Sequence, residues 1–97
     1  MKIVYYLKNF KNLPQDVISF IKKKSQKLSF IEKKEGEGIL EIEIKKDKEI
    51  KEKIGFYKVK IIFDTPKRAA NIVSGIGKSL YQAINDAFKK LFETLKK

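Results

Sequence analysis

Hydrophobic residues alternate with polar ones at the start of the chain, then switch period. Over residues 1–8, Ile3, Tyr5 and Leu7 share one phase and Val4 and Tyr6 the other, which predicts a strand of β-branched and aromatic residues. Residues 9–12 are polar, and Pro14 is suited to the first turn of a helix because its missing N–H costs nothing there. Val17, Ile21 and Leu28 then recur at helical spacing, with Ile18 and Phe20 on the flanks, which predicts a helix over residues 14–28. Residues 29–38, with Gly36 and Gly38, read as a turn region. Period two returns with Leu40, Ile42 and Ile44 against Glu41, Glu43 and Lys45, a strand with one buried and one wet face. Residues 45–53 are a mixed-charge run too polar to pack, expected as a flexible hairpin arm or a frayed extension of the strands. Tyr57, Val59, Ile61 and Phe63 define the inner phase of a third strand over residues 56–64, with Lys58 and Lys60 outward. Thr65, Pro66, Lys67 and Arg68 are turn material, and residues 69–75 form a fourth strand. The chain closes on a two-glycine turn and an amphipathic helix. Leu80, Ile84, Ala87, Phe88, Leu91 and Leu95 lie on its apolar side. Ser79 can cap it, with Gln82 completing a capping box.

This order is β-α-β-β-β-α. Three strands joined by short turns form an antiparallel meander, and a right-handed crossover through the first helix sets the first strand parallel to the second. Both helices then cover one face of a four-stranded sheet, an α+β two-layer sandwich. No repeat or linker divides the chain, so residues 1–97 are expected to form a single domain.

Composition narrows the chemistry. There is no cysteine and no histidine, which excludes disulfides, thiolate nucleophiles and the commonest general base and metal ligand. No apolar run approaches the ~18 residues that a membrane span requires, and no signal-peptide pattern opens the chain, so the expected setting is cytoplasmic. Against this plain background the formal net charge of +11 stands out. It calls for an anionic partner, nucleic acid first. The competing explanation is a general lysine bias, since Arg68 is the sole arginine among 23 basic residues.

The candidate motifs for catalysis are weak. Gly77-Lys78-Ser79 lies between strand and helix like the end of a phosphate-binding loop, but the glycine required five residues earlier is Ile72. At most, Lys78 and the helix N-terminus could contact one backbone phosphate. Glu41 and Glu43 read as surface charge balance, and Asp64 and Asp86 have no evident partners. Most aromatics fall on inward phases and belong to the core, with Tyr6 and Phe56 the two to test for exposure. No enzyme activity, cofactor, metal or small-molecule substrate is expected.

The lysines are more informative. Lys22, Lys23 and Lys27 project from the first helix opposite its apolar line. Lys24 falls beside that line, where its stem can pack while its ammonium reaches water. With Lys24 these make four lysines in two turns and no acid among them. Lys89, Lys90, Lys96 and Lys97 project from the polar side of the last helix. If the helices lie side by side, the two rows make one stripe suited to a phosphate backbone.

The last helix also carries a signature. Ser79-Leu80-Tyr81-Gln82-Ala83-Ile84-Asn85, followed by Lys90-Leu91 and Leu95-Lys96-Lys97, is similar to the Asp-Met-Tyr-x-Ala-Ile-Asp run and its basic sequel in the ribosome hibernation promoting factor, or ribosome-associated inhibitor, family. Lys24, Lys27-Leu28 and the small pair Ser74-Gly75 resemble further positions of that family, whose short form shares this order of elements over this length. Ser79 and Asn85 replace acids of the signature, Ser25 replaces a usual leucine, and Glu93 stands where a basic residue is frequent. The resemblance implies a monomeric ribosome-binding domain that blocks translation in stressed cells. It would occupy the messenger and transfer RNA channel of the small ribosomal subunit, with Lys24, Lys27, Lys90 and Lys97 on ribosomal RNA. Lys22, Lys23, Lys78, Lys89 and Lys96 join that set from charge and periodicity alone. Two other readings stay open: a generic double-stranded RNA- or DNA-binding domain, and a membrane or partner-protein module using the cationic last helix. The apolar face of that helix is needed for the core, which counts against the second.

Overall fold

The computed structural model describes residues 1–9, 11–47 and 56–96. Its elements are β1 (Lys2–Lys8), α1 (Gln15–Ser25), a tight 3-10 turn (Gln26–Leu28), α2 (Ser29–Glu35), β2 (Ile39–Asp47), β3 (Phe56–Thr65), β4 (Arg68–Gly77) and α3 (Leu80–Leu95). The sheet runs β1-β2-β3-β4, with β1 parallel to β2 and the remaining pairs antiparallel. This is the expected two-layer sandwich. Leu40, Ile42, Ile44, Val59, Ile61 and Phe63 are fully buried on the inner face, against Val17, Ile21 and Leu28 of the first helical segment and Ile84, Phe88 and Leu91 of α3. Removing these side chains from water is the main force that assembles the layers, at roughly 1.5–3 kcal/mol for each large one.

Local expectations change in three places. Pro14 caps α1 from outside, its carbonyl accepting the N–H groups of Val17 and Ile18. The expected turn region after Leu28 is mostly helix. Leu28 and Ile31, three residues apart, are both buried and draw α2 onto the core. Gly36 ends α2 with φ +95°, a conformation glycine adopts without strain, and its N–H donates to the Glu32 carbonyl. β4 runs two residues past its expected end, to Gly77. The charged run of residues 45–53 begins as the last rungs of β2's ladder, with Lys45, Lys46 and Asp47 paired to Lys58, Tyr57 and Phe56; residues 48–53 lie outside the described residues.

The close fit of α3 to β4 fixes the helix. A Cβ on Gly75 would stand 2.3 Å from the Ala87 nitrogen, and one on Gly77 would stand 2.6 Å from the Ala83 nitrogen. Two glycines facing two alanines let helix and strand backbones touch. At the helix start, the Ser79 hydroxyl accepts the Gln82 N–H. The Gln82 side chain does not return to Ser79 as a capping box requires; it accepts the Lys78 N–H. Among the described residues nothing covers the outer face of the sheet, and Tyr6, Ile39, Ile72 and Ile76 are exposed on it.

Candidate nucleic-acid interface

α1 and α3 lie next to each other on the sheet and are pinned where Phe20 meets Tyr81 edge to face, centroids 5.1 Å apart. The Lys24 ammonium sits 5.4 Å from the Phe20 ring centre, so its stem packs and its charge stays at the surface. Beyond this contact an open groove of about 390 Å³ runs between the helices. Phe88 and Phe92, 6.1 Å apart, contribute its apolar surface. Its polar lining is Lys24 and Lys27 from one side and Asn85, Lys89, Glu93 and Lys96 from the other. Among the described residues, four ammonium groups therefore face one carboxylate in a single concave surface. An extended anionic backbone fits that pattern, because each phosphate can pair with a different lysine while the chain follows the groove.

The other candidate lysines lie elsewhere. Lys90 pairs with Asp86 at 3.2 Å and donates to the Ser74 carbonyl at 3.1 Å. Asp86 also accepts the Ile76 N–H at 3.1 Å. That backbone hydrogen bond first, and the Lys90 ammonium second, hold the Asp86 carboxyl below its ordinary range. Asp86, which had no evident partner in the sequence, and Lys90 thus form a latch from α3 to the outer edge of β4. Lys22 faces the opposite side of α1, in a recess with Met1, Ile3 and Glu32. Lys23 is exposed on the outside of α1 and Lys78 at the turn before α3. The internal bonds of Ser79 and Gln82 occupy two N–H groups at that turn, which weakens it as a phosphate site. Lys97 lies outside the described residues.

Two features escaped the sequence reading. Arg68 grips Glu35 with two guanidinium nitrogens, Nη2 at 2.7 Å and Nε at 2.9 Å, and the Thr65 hydroxyl donates to the same carboxylate at 2.8 Å. These bonds pull the Glu35 carboxyl down to about 2 and tie the end of α2 to the β3–β4 turn. Turn chemistry at Pro66 was legible, but only the unexpected α2 brings Glu35 there. The second feature is Phe30, exposed on α2. Of the two aromatics marked for exposure, Tyr6 is exposed and Phe56 half-buried beneath the Lys58 ammonium. Glu43 pairs with Lys8 at 3.0 Å, as surface charge balance requires. Among the described residues no cluster of acids could hold a metal ion, and no helix is long and apolar enough to cross a membrane.

No protein-family model matches the chain, and no curated protein sequence matches it. Solved structures do. The N-terminal domain of Thermus thermophilus Protein Y superposes with a TM-score of 0.72 at 18% identity, over 99% of this chain and 97% of that one. A ribosomal subunit interface protein from Coxiella burnetii superposes with a TM-score of 0.77 at 12% identity, over 99% and 94%. The chain shares the fold of these two proteins. Gly75 and Ala83, small residues that the sequence resemblance singled out, lie where α3 presses on β4. Tyr81 of the same signature is the residue that joins α3 to α1.

Proposed function

We propose that the chain is a ribosome-associated translation inhibitor. It acts in the cytoplasm as a monomeric single domain, without a cofactor, and idles ribosomes under stress. It binds ribosomal RNA of the small subunit in the messenger and transfer RNA channel, with the α1–α3 groove against the phosphate backbone. The observation that carries this reading is the convergence of Lys24, Lys27, Lys89 and Lys96 on one groove in a fold shared with a ribosomal subunit interface protein. Lys22, Lys23 and Lys78 add to the positive field from outside the groove, and Lys97 contributes one more positive charge. Such binding reads shape and backbone, not sequence.

Co-sedimentation with purified small subunits across a salt series tests it. The protein should pellet with subunits at low salt, and affinity should fall steeply as salt rises, by about a hundredfold or more between 50 and 200 mM if several phosphates are neutralised. The double variant Lys24→Glu, Lys89→Glu should bind at least tenfold more weakly with an unchanged circular dichroism spectrum. Lys90→Ala, which opens the β4 latch, should leave binding nearly intact. Failure to pellet at low salt ends the proposal. Equal affinity for naked duplex RNA would instead favour a generic duplex binder.

A further inference from the structure

Phe30 is the only exposed phenylalanine among the described residues, with 56% of its surface open. It points outward because Leu28 and Ile31 take the inward directions of the same turns. Helical spacing surrounds it with Lys27 three residues before, Lys33 and Lys34 three and four after, and Lys23 two turns before. All four lysines are exposed, and none makes an ion pair among the described residues. The acids of α2 are turned to the fold: Glu32 accepts the Gly38 N–H at 2.7 Å, and Glu35 is held by Arg68 and Thr65. The outer face of this helix is left with one aromatic ring in a field of a single sign.

We propose that Phe30 is a stacking platform for an unpaired nucleobase, with Lys23, Lys27, Lys33 and Lys34 holding the flanking phosphates of a single RNA strand. Stacking needs one exposed ring and nearby cations. A membrane surface would need an apolar stripe, and the neighbours of Phe30 are Gln26, Ser29 and lysines. The inference rests on the chain being an RNA binder but uses a separate surface, which shares only Lys27 with the groove.

The chain contains no tryptophan, so Phe30→Trp places a single indole at the site. Titration with a single-stranded RNA oligonucleotide should quench that fluorescence saturably, and should still do so when Lys24→Glu and Lys89→Glu are added. Phe30→Ala and Phe30→Leu should each weaken single-strand binding by about five- to a hundredfold. No quenching, or full affinity in Phe30→Ala or Phe30→Leu, overturns the proposal. A blue shift on anionic vesicles without quenching by RNA overturns it in favour of a membrane contact. If subunits still pellet while these results fail, only the stacking site is lost; if neither RNA binds, the RNA reading falls with it.

Discussion

Lys89 and Lys90 are adjacent in the chain and serve different purposes. Lys89 faces the groove, while Lys90 closes on Asp86 and the edge of β4. A helical wheel puts both on the polar side, and no wheel says which flank of that side meets α1 and which meets β4. That depends on where α3 lies on the sheet, which is tertiary information. Glu35 offers a test at the same scale. Its carboxyl ordinarily titrates near 4.5 and is held at about 2 by Arg68 and Thr65. The folded state therefore binds this proton less readily than the unfolded chain. The stabilisation is complete above about 4.5 and is lost as pH falls through about 2. Thermal melts of Glu35→Gln followed by circular dichroism should show lower stability at neutral pH and a shallower loss between pH 5 and 2. The Asp86 carboxyl, also held low, supplies part of what pH dependence remains. A variant with the parent's acid profile would mean that the clamp is not formed in solution.

Among the elements, β1, β2, β3 and both long helices were legible because each turns a run with a clean period to the core, and β4 because a turn and two glycines bound it. α2 was not. Its one core residue, Ile31, stands a single helical step from Leu28 of the preceding 3-10 turn, and Gly36 and Gly38 with their charged neighbours look like a loop. The missed helix carries both Glu35 and Phe30, so one error of element cost two features of the site. The contact of α3 with β4 sets the second test. Gly75→Ala would bring a methyl group to within 2.3 Å of the Ala87 nitrogen and 2.6 Å of the Ala83 carbonyl oxygen. Both are backbone atoms within a helix and cannot move aside alone. Denaturant unfolding should show a loss of about 2–3 kcal/mol or more. The same variant should weaken RNA binding by displacing Lys89 and Lys96. Unchanged stability would show that α3 does not lie this close.

For the whole molecule, the question is whether binding follows net charge or its placement. Glu93→Lys and Asp64→Lys each exchange one negative for one positive charge, taking the formal net charge from +11 to +13. Glu93 lines the groove, whereas Asp64 is exposed on β3 away from it. If the groove holds the RNA, Glu93→Lys should tighten subunit binding several-fold and Asp64→Lys much less. Equal gains would mean that the overall field alone draws the partner in. Net charge was plain in the sequence, and so were the lysines of both helices. Their sorting into a groove, an outer face and a latch required the packed structure.

The latch has a further effect when copies of the chain meet. An edge strand invites a second sheet to add to it, and here the outer face beside that edge carries exposed Ile72 and Ile76. Two of the groups an incoming strand would pair with, the Ile76 N–H and the Ser74 carbonyl, already belong to Asp86 and Lys90. With mutual repulsion from the shared positive charge, these occupied groups make this stretch of β4 a poorer template for a second sheet.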